Sequence, residues 1–204
     1  EGVPLEEALA GDIVLVTGID DLAIGCTVTD LDKPEALPML KIDEPTLNMT
    51  FMVNNSPLAG TEGKFVTSRQ IGERLRKELL TNMALRVEET SDTDSFLVSG
   101  RGELHLTILL ENMRREGYEL AVGRPKVIIK EINGEPCEPY EMLTLDVEES
   151  HQGGVMEALG YRRGELQDMS SDGRGRARLE YRIPARGLIG FQGEFLNLTR
   201  GTGL

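Results

Sequence analysis

The sequence predicts an α+β protein: two β-α-β-β-α-β modules in tandem, the second cut short, preceded by the last strands of a small β domain. Three observations carry that expectation. Between residues 46 and 124, short strand-like runs alternate with stretches of helical periodicity. The same grammar restarts after Gly123-Arg-Pro125. The opening residues hold only two compact apolar runs, too little for an independent core.

Each element has its own signal. Asp12–Thr17 is a β-branched run between Gly11 and Gly18, and Gly25–Thr29 is a second short run. Pro34, Pro38 and Pro45 mark an extended linker. Leu47–Val53 begins with the alternation of a half-buried strand. Asn54–Gly63 is a loop by its Asn, Ser, Pro and Gly content, and Ser68 is placed to cap a helix with Ile71, Leu75 and Leu79 at a spacing of four. Ala84–Glu89 and Ser95–Ser99 read as neighbouring strands across a turn. A helix is expected from Glu103 to Arg115, stopped by Gly117, and Tyr118–Val122 follows as the fourth strand. This is the ferredoxin-like, split βαβ order.

In the second module, Lys126–Ile132 is a strand running into the loop Asn133–Pro136. Glu141–Val147 is a strand and Gly153–Arg162 a helix with Val155, Met156 and Leu159 inward. Glu165–Met169 and Arg176–Ile183 pair around a glycine-rich turn, and Leu188–Thr199 reads as one helix. The expected domain division is therefore 1–45, 46–124 and 125–204.

Composition narrows the function classes. Hydrophobic residues make up 39% and charged residues 28%, as in ordinary globular chains. No apolar run approaches the roughly 20 residues that span a bilayer, and no basic-then-apolar leader opens the sequence. Cys26 and Cys137 stand far apart and in no metal-ligand spacing, which suits a reducing, cytoplasmic compartment. A net charge of −13 opposes non-specific binding to a polyanion. The charge is uneven, however: residues 1–45 carry −9, whereas residues 162–186 carry +3 through Arg162, Arg163, Arg174, Arg176, Arg178, Arg182 and Arg186.

The most informative motif is Ser99-Gly-Arg-Gly-Glu-Leu-His-Leu106, a strand that passes through two glycines into a helix. Glu103 falls in the first helical turn, where the helix dipole favours an anion. Exposed N–H groups there could donate to a bound phosphate; a plain strand–helix junction explains the same residues. It is not a P-loop, because the Gly-x4-Gly-Lys-Ser/Thr spacing is absent. His151-Gln-Gly-Gly154 reads likewise as a helix entry, with or without phosphate contact. His105 and His151 have no catalytic neighbours in the sequence, and no metal-ligand spacing occurs, so no catalytic or metal residue is assigned. Gly187, Gly190 and Gly193 fall on one face of the expected last helix, a pattern that permits close packing.

The octapeptide closely resembles the signature of domain III in elongation-factor-G-like translational GTPases. Residues 111–125 resemble the end of that domain, 141–164 and 183–191 resemble domain V, and 1–36 resemble the last strands of the domain II barrel. Within the superfamily, the loop from Asn54 to Arg69 with its Thr-Ser-Arg helix entry resembles the BipA (TypA) branch. Elongation factor G has a differently composed loop, and the LepA branch lacks Gly-Glu-Leu-His-Leu. Ribosomal-protection factors are the nearest competitors.

The resemblance implies ribosome-dependent GTP hydrolysis, with GTP and Mg²⁺ held in an N-terminal domain outside these residues and no cofactor within them. It implies a ribosomal partner, through rRNA and possibly tRNA at the A site, a monomer, and a role in translation, ribosome assembly or stress adaptation. The RNA-contacting candidates are Lys64 and Arg69 flanking the loop, Arg101 and His105 in the octapeptide, His151, Arg162 and Arg163 at a helix end, and Arg174, Arg176, Arg178 and Arg186. For each of them a solvated face is the alternative. A ligand-sensing tandem ferredoxin-like module and a stand-alone RNA-binding protein are the competing function classes, the latter disfavoured by an aromatic content of 4%.

Overall fold

The structure, a computed structural model, describes residues 3–19, 24–38 and 42–204. It divides into two compact units, Glu1–Lys41 and Ile42–Leu204. In the first, the described residues form neither strand nor helix, so the strands expected at 12–17 and 25–29 are not made. Ile13 and Leu15 lie almost fully exposed, at 101% and 89%. A barrel strand is held by neighbours on both sides, and none is present among the described residues of this unit. Part of the expected proline-marked linker, residues 39–41, lies outside the described residues.

In the second unit, the strand β1 (Leu47–Met52) leads through the long loop to the helix α1 (Ser68–Leu79). Thr67, one residue before the expected cap, accepts from Gln70 N–H while the Gln70 side chain accepts from Thr67 N–H, a reciprocal capping box. The strands β2 (Arg86–Glu89) and β3 (Ser95–Gly100) follow, then the helix α2 (Glu103–Arg115) with the bounds read from the sequence. The short strands β4 (Ala121–Val122) and β5 (Lys126–Val127) both pair with β1. The sheet order β2-β3-β1-β4, antiparallel throughout, is that of a split βαβ fold. Alternation in β1 turns Met49 and Phe51 onto α1 and α2, where Ile71, Leu75, Leu106 and Met113 are buried. Each such aliphatic side chain contributes about 1.5–3 kcal/mol by leaving water.

The expected loop 133–136 is instead a hairpin. The strands β6 (Lys130–Ile132) and β7 (Glu135–Cys137) pair around Asn133-Gly134, both with positive φ as a type I′ turn requires. The strand β8 (Tyr140–Glu148) then runs without a loop into the helix α3 (Glu149–Tyr161), and β9 (Glu165–Ser171) and β10 (Arg176–Pro184) complete a three-stranded sheet in the order β8-β10-β9. The helix expected at 188–199 is broken into a single turn α4 (Ala185–Leu188) and α5 (Phe191–Leu198), because Gly190 adopts φ +70° between them. Gly187, Gly190 and Gly193 therefore do not share one helix. Leu145, Val147, Leu179, Tyr181 and Ile183 from the sheet pack on Val155, Leu159, Phe191 and Phe195, a core separate from the first. Leu204 exchanges two backbone hydrogen bonds with Asp146 on the outer edge of β8.

Candidate nucleic-acid interface

The octapeptide is a packed junction. A Cβ at Gly100 would sit 2.8 Å from the buried Leu106 side chain and 2.9 Å from His105 Nδ1, so this position admits only glycine without movement. Gly102 has open space around it. His105 Nδ1 accepts Arg101 N–H at 3.2 Å, and Nε2 lies 2.9 Å from the Asn82 amide. Partial burial, with the nearby Arg101 charge second, holds the His105 pKa below the ordinary value, so the ring is neutral at pH 7. Both of its nitrogens are used inside the protein.

Glu103 does not cap its own helix. Its carboxylate accepts the Gly190 N–H at 2.8 Å, joining α2 of the first module to the α4–α5 turn of the second. Close by in the chain, Thr46 Oγ1 lies 2.8 Å from the Arg101 carbonyl and 3.2 Å from Glu141 Oε1.

The loop between β1 and α1 is organised by a residue that sequence reasoning missed. Glu119, 9% exposed, accepts from the N–H groups of Gly60, Glu62 and Gly63 and from the Asn54 amide at 2.8–3.1 Å. Those donors, Gly60 first, hold its pKa down to about 2. An acid inside an otherwise strand-like run opposite a glycine-rich loop was the available signal. Tyr118 and Glu119 do not extend β4 as expected; they pair with the Phe65 segment of the loop, and the Phe65 and Tyr118 rings meet at 4.8 Å.

The cationic candidates divide by what they already touch. Arg162 is a buckle: Nη1 donates to the Gly187 and Ile189 carbonyls at 2.6 and 3.1 Å, Nη2 to Glu194 at 2.7 Å, and the guanidinium lies over Phe191 at 5.3 Å. Arg186 pairs with Glu138 at 2.6 Å, and Arg176 reaches the Asp146 and Thr202 carbonyls at 3.2 and 3.4 Å. Arg69 pairs with Glu73 at 2.9 Å but stays exposed. Arg178 stands on the outward face of β10, with Asp146 and Glu180 at 3.9 and 3.8 Å. Lys64, Arg101, Arg163 and Arg174 are exposed and have no ion pair among the described residues.

The reading of His151-Gln-Gly-Gly154 as a helix entry is corrected. These residues lie within α3, whose first N–H, that of Glu149, is already accepted by the Gly175 carbonyl at 3.0 Å. His151 Nδ1 is buried without a hydrogen bond, 3.8 Å from Glu148. The turn before β10 keeps Arg174 at the surface, since Asp172 accepts the Arg174 and Arg176 N–H groups at 2.7 and 3.0 Å and fixes the backbone there.

Residues 66–124 match the family model for elongation factor G domain III, and residues 135–204 that for the elongation factor G C-terminus. The large ribosomal subunit assembly factor BipA of Haemophilus influenzae is 66% identical over 197 residues, covering 97% of this chain and 32% of that protein. The protein of the same name in Escherichia coli K12 is 63% identical over 204 residues, 100% of this chain and 34% of its own length. That of Synechocystis is 60% identical over 202 residues, 99% and 34%.

The chain belongs to the BipA family. It spans about a third of the length of the curated relatives it matches. In this BipA-family chain the octapeptide serves as the corner where the two modules meet, and the unpaired candidate cations lie beside the loop (Lys64), at that corner (Arg101), after α3 (Arg163) and in the turn before β10 (Arg174).

Proposed function

We propose that this chain is the ribosome-engaging portion of a BipA-type translational GTPase acting in assembly of the large ribosomal subunit in the cytoplasm. The observation that carries the reading is identity of 60–66%, over almost the whole chain, to proteins named as large ribosomal subunit assembly factors. The chain has no Gly-x4-Gly-Lys-Ser/Thr loop and no Asn-Lys-x-Asp element, so its residues do not fit GTP. Nucleotide and Mg²⁺ belong to another domain of the intact protein, which would set how these modules dock.

Contact with rRNA falls to the cations without internal partners. With −13 overall, attraction to a polyanion must be local, and Lys64, Arg101, Arg163, Arg174 and the loosely paired Arg178 supply it. Each phosphate contact contributes about one unit to the salt slope of binding. Replacing Arg174 by Ala in the intact protein is expected to lower the slope of ribosome association by about that amount. An unchanged slope would leave Arg174 as a solvated turn residue.

A further inference from the structure

The two modules bury separate cores that share no residue, so no common apolar interior fixes their relative orientation. Domains joined mainly through polar contacts move relative to one another by default. Across this junction, where the α4 turn also approaches β5, two polar contacts form: Glu103 with the Gly190 N–H, and Thr46 with Glu141.

Both halves of the first contact are built in advance. Gly190 takes a left-handed conformation, and Arg162 grips the Gly187 and Ile189 carbonyls just before it. On the other side, the backbone entering α2 is tied down by Arg101 N–H on His105, His105 on Asn82, and Asn82 on Glu78 at 3.3 Å. Glu78 in turn binds Arg74, which forks onto Glu116 at 2.6 and 2.7 Å. The Glu103 carboxylate is thus presented by a braced corner to a braced amide. Its own helix has no side-chain cap, so reaching across takes precedence over local capping.

Thr46 supplies only one proton for two acceptors. The nearer one, the Arg101 carbonyl at 2.8 Å, takes the larger share, and the Glu141 carboxylate accepts from the same hydroxyl at 3.2 Å. Half-burial pushes the Glu141 pKa up, and the hydrogen bond that Thr46 donates to the carboxylate opposes this.

We propose that Glu103 is the positioning residue that sets the second module against the first, and that the junction is a hinge held closed by its hydrogen bond to Gly190. This role is separate from ribosome binding and holds whether or not that reading does. A hydrogen bond to a charged group shifts an equilibrium by about ten- to a hundredfold. In the intact protein, E103A is expected to raise amide exchange at Gly190 by about tenfold or more, with Val98 in the first core unchanged. E103Q keeps an oxygen acceptor and is expected to retain most of the protection.

Spin labels at K77C and E157C, in an otherwise cysteine-free background, are expected to give one narrow distance in the parent and E103Q. E103A is expected to broaden or displace it. Unchanged exchange at Gly190 together with an unchanged distance distribution in E103A overturns the hinge. If E103A also lowers Val98 protection, E103D decides, because its shorter side chain keeps the charge in the first helical turn but falls short of Gly190. Release of Gly190 in E103D supports the latch, and retention overturns it.

Discussion

Arg162 separates a structural from an RNA-binding account of the basic segment. The perturbation is R162A, with R162K as its companion. Two hydrogen bonds run from the charged donor to the Gly187 and Ile189 carbonyls, an ion pair reaches Glu194, and the guanidinium covers Phe191. Each charge-assisted bond is worth about 1.5–3 kcal/mol, the half-exposed ion pair about 0.2–1 kcal/mol, and the ring contact about 0.5–1 kcal/mol. Neighbouring terms do not add, and water replaces part of what is lost, so a net loss of about 2–4 kcal/mol is expected. In a unit of this size that lowers Tm by roughly 5–15 °C. Lysine carries the charge but not the fork, so R162K is expected to recover less than half of the loss. The assay is urea and thermal unfolding of each variant, alongside the salt slope of its ribosome association. Lowered stability with an unchanged slope fits the buckle. Unchanged stability with a slope reduced by about one would refute it and return Arg162 to the RNA-facing set.

Three further outcomes follow from the geometry. Glu119 has its pKa depressed to about 2, so its support for the 54–63 loop is fully present above the ordinary carboxylate value near 4.5 and disappears as pH falls through about 2. The Gly60 and Gly63 amide resonances are expected to titrate near that value and to lose their low-pH step in E119Q; a midpoint near 4.5 contradicts the cradle. G100A is expected to cost about 1–3 kcal/mol by overpacking Leu106 and His105, whereas G102A stays under about 1 kcal/mol; equal effects in urea unfolding would remove the distinction. T67A, which breaks the capping box of α1, is expected to cost about 1 kcal/mol by the same assay, and a neutral result would show the cap to be idle.

The first module was legible because its signals are local. Helix periodicity and terminal signals placed α2, and the alternation at 47–53 placed β1. Misreadings arose where distant groups decide the outcome. The Gly175 carbonyl accepts the first N–H of α3 and allows helix to begin before the two glycines that looked like an entry. A left-handed Gly190 divides the last helix, and a single sequence cannot reveal that its N–H is claimed by Glu103. The runs at 12–17 and 25–29 have strand composition, but strands need neighbours. Among the arginines, sequence gave the charge and no partner list. Arg162 and Arg174 look alike in composition, yet one is enclosed by carbonyls, Glu194 and Phe191 while the other stands free on a turn.

We propose ribosome engagement by residues 42–204 of a BipA-type GTPase. Its most direct test is co-sedimentation of the intact protein with purified large ribosomal subunits and assembled ribosomes, in GTP, GDP and no nucleotide, beside the same protein lacking residues 42–204. Nucleotide-dependent association that disappears with the deletion is the expected result. Equal association without residues 42–204, or none under any nucleotide, would contradict the claim.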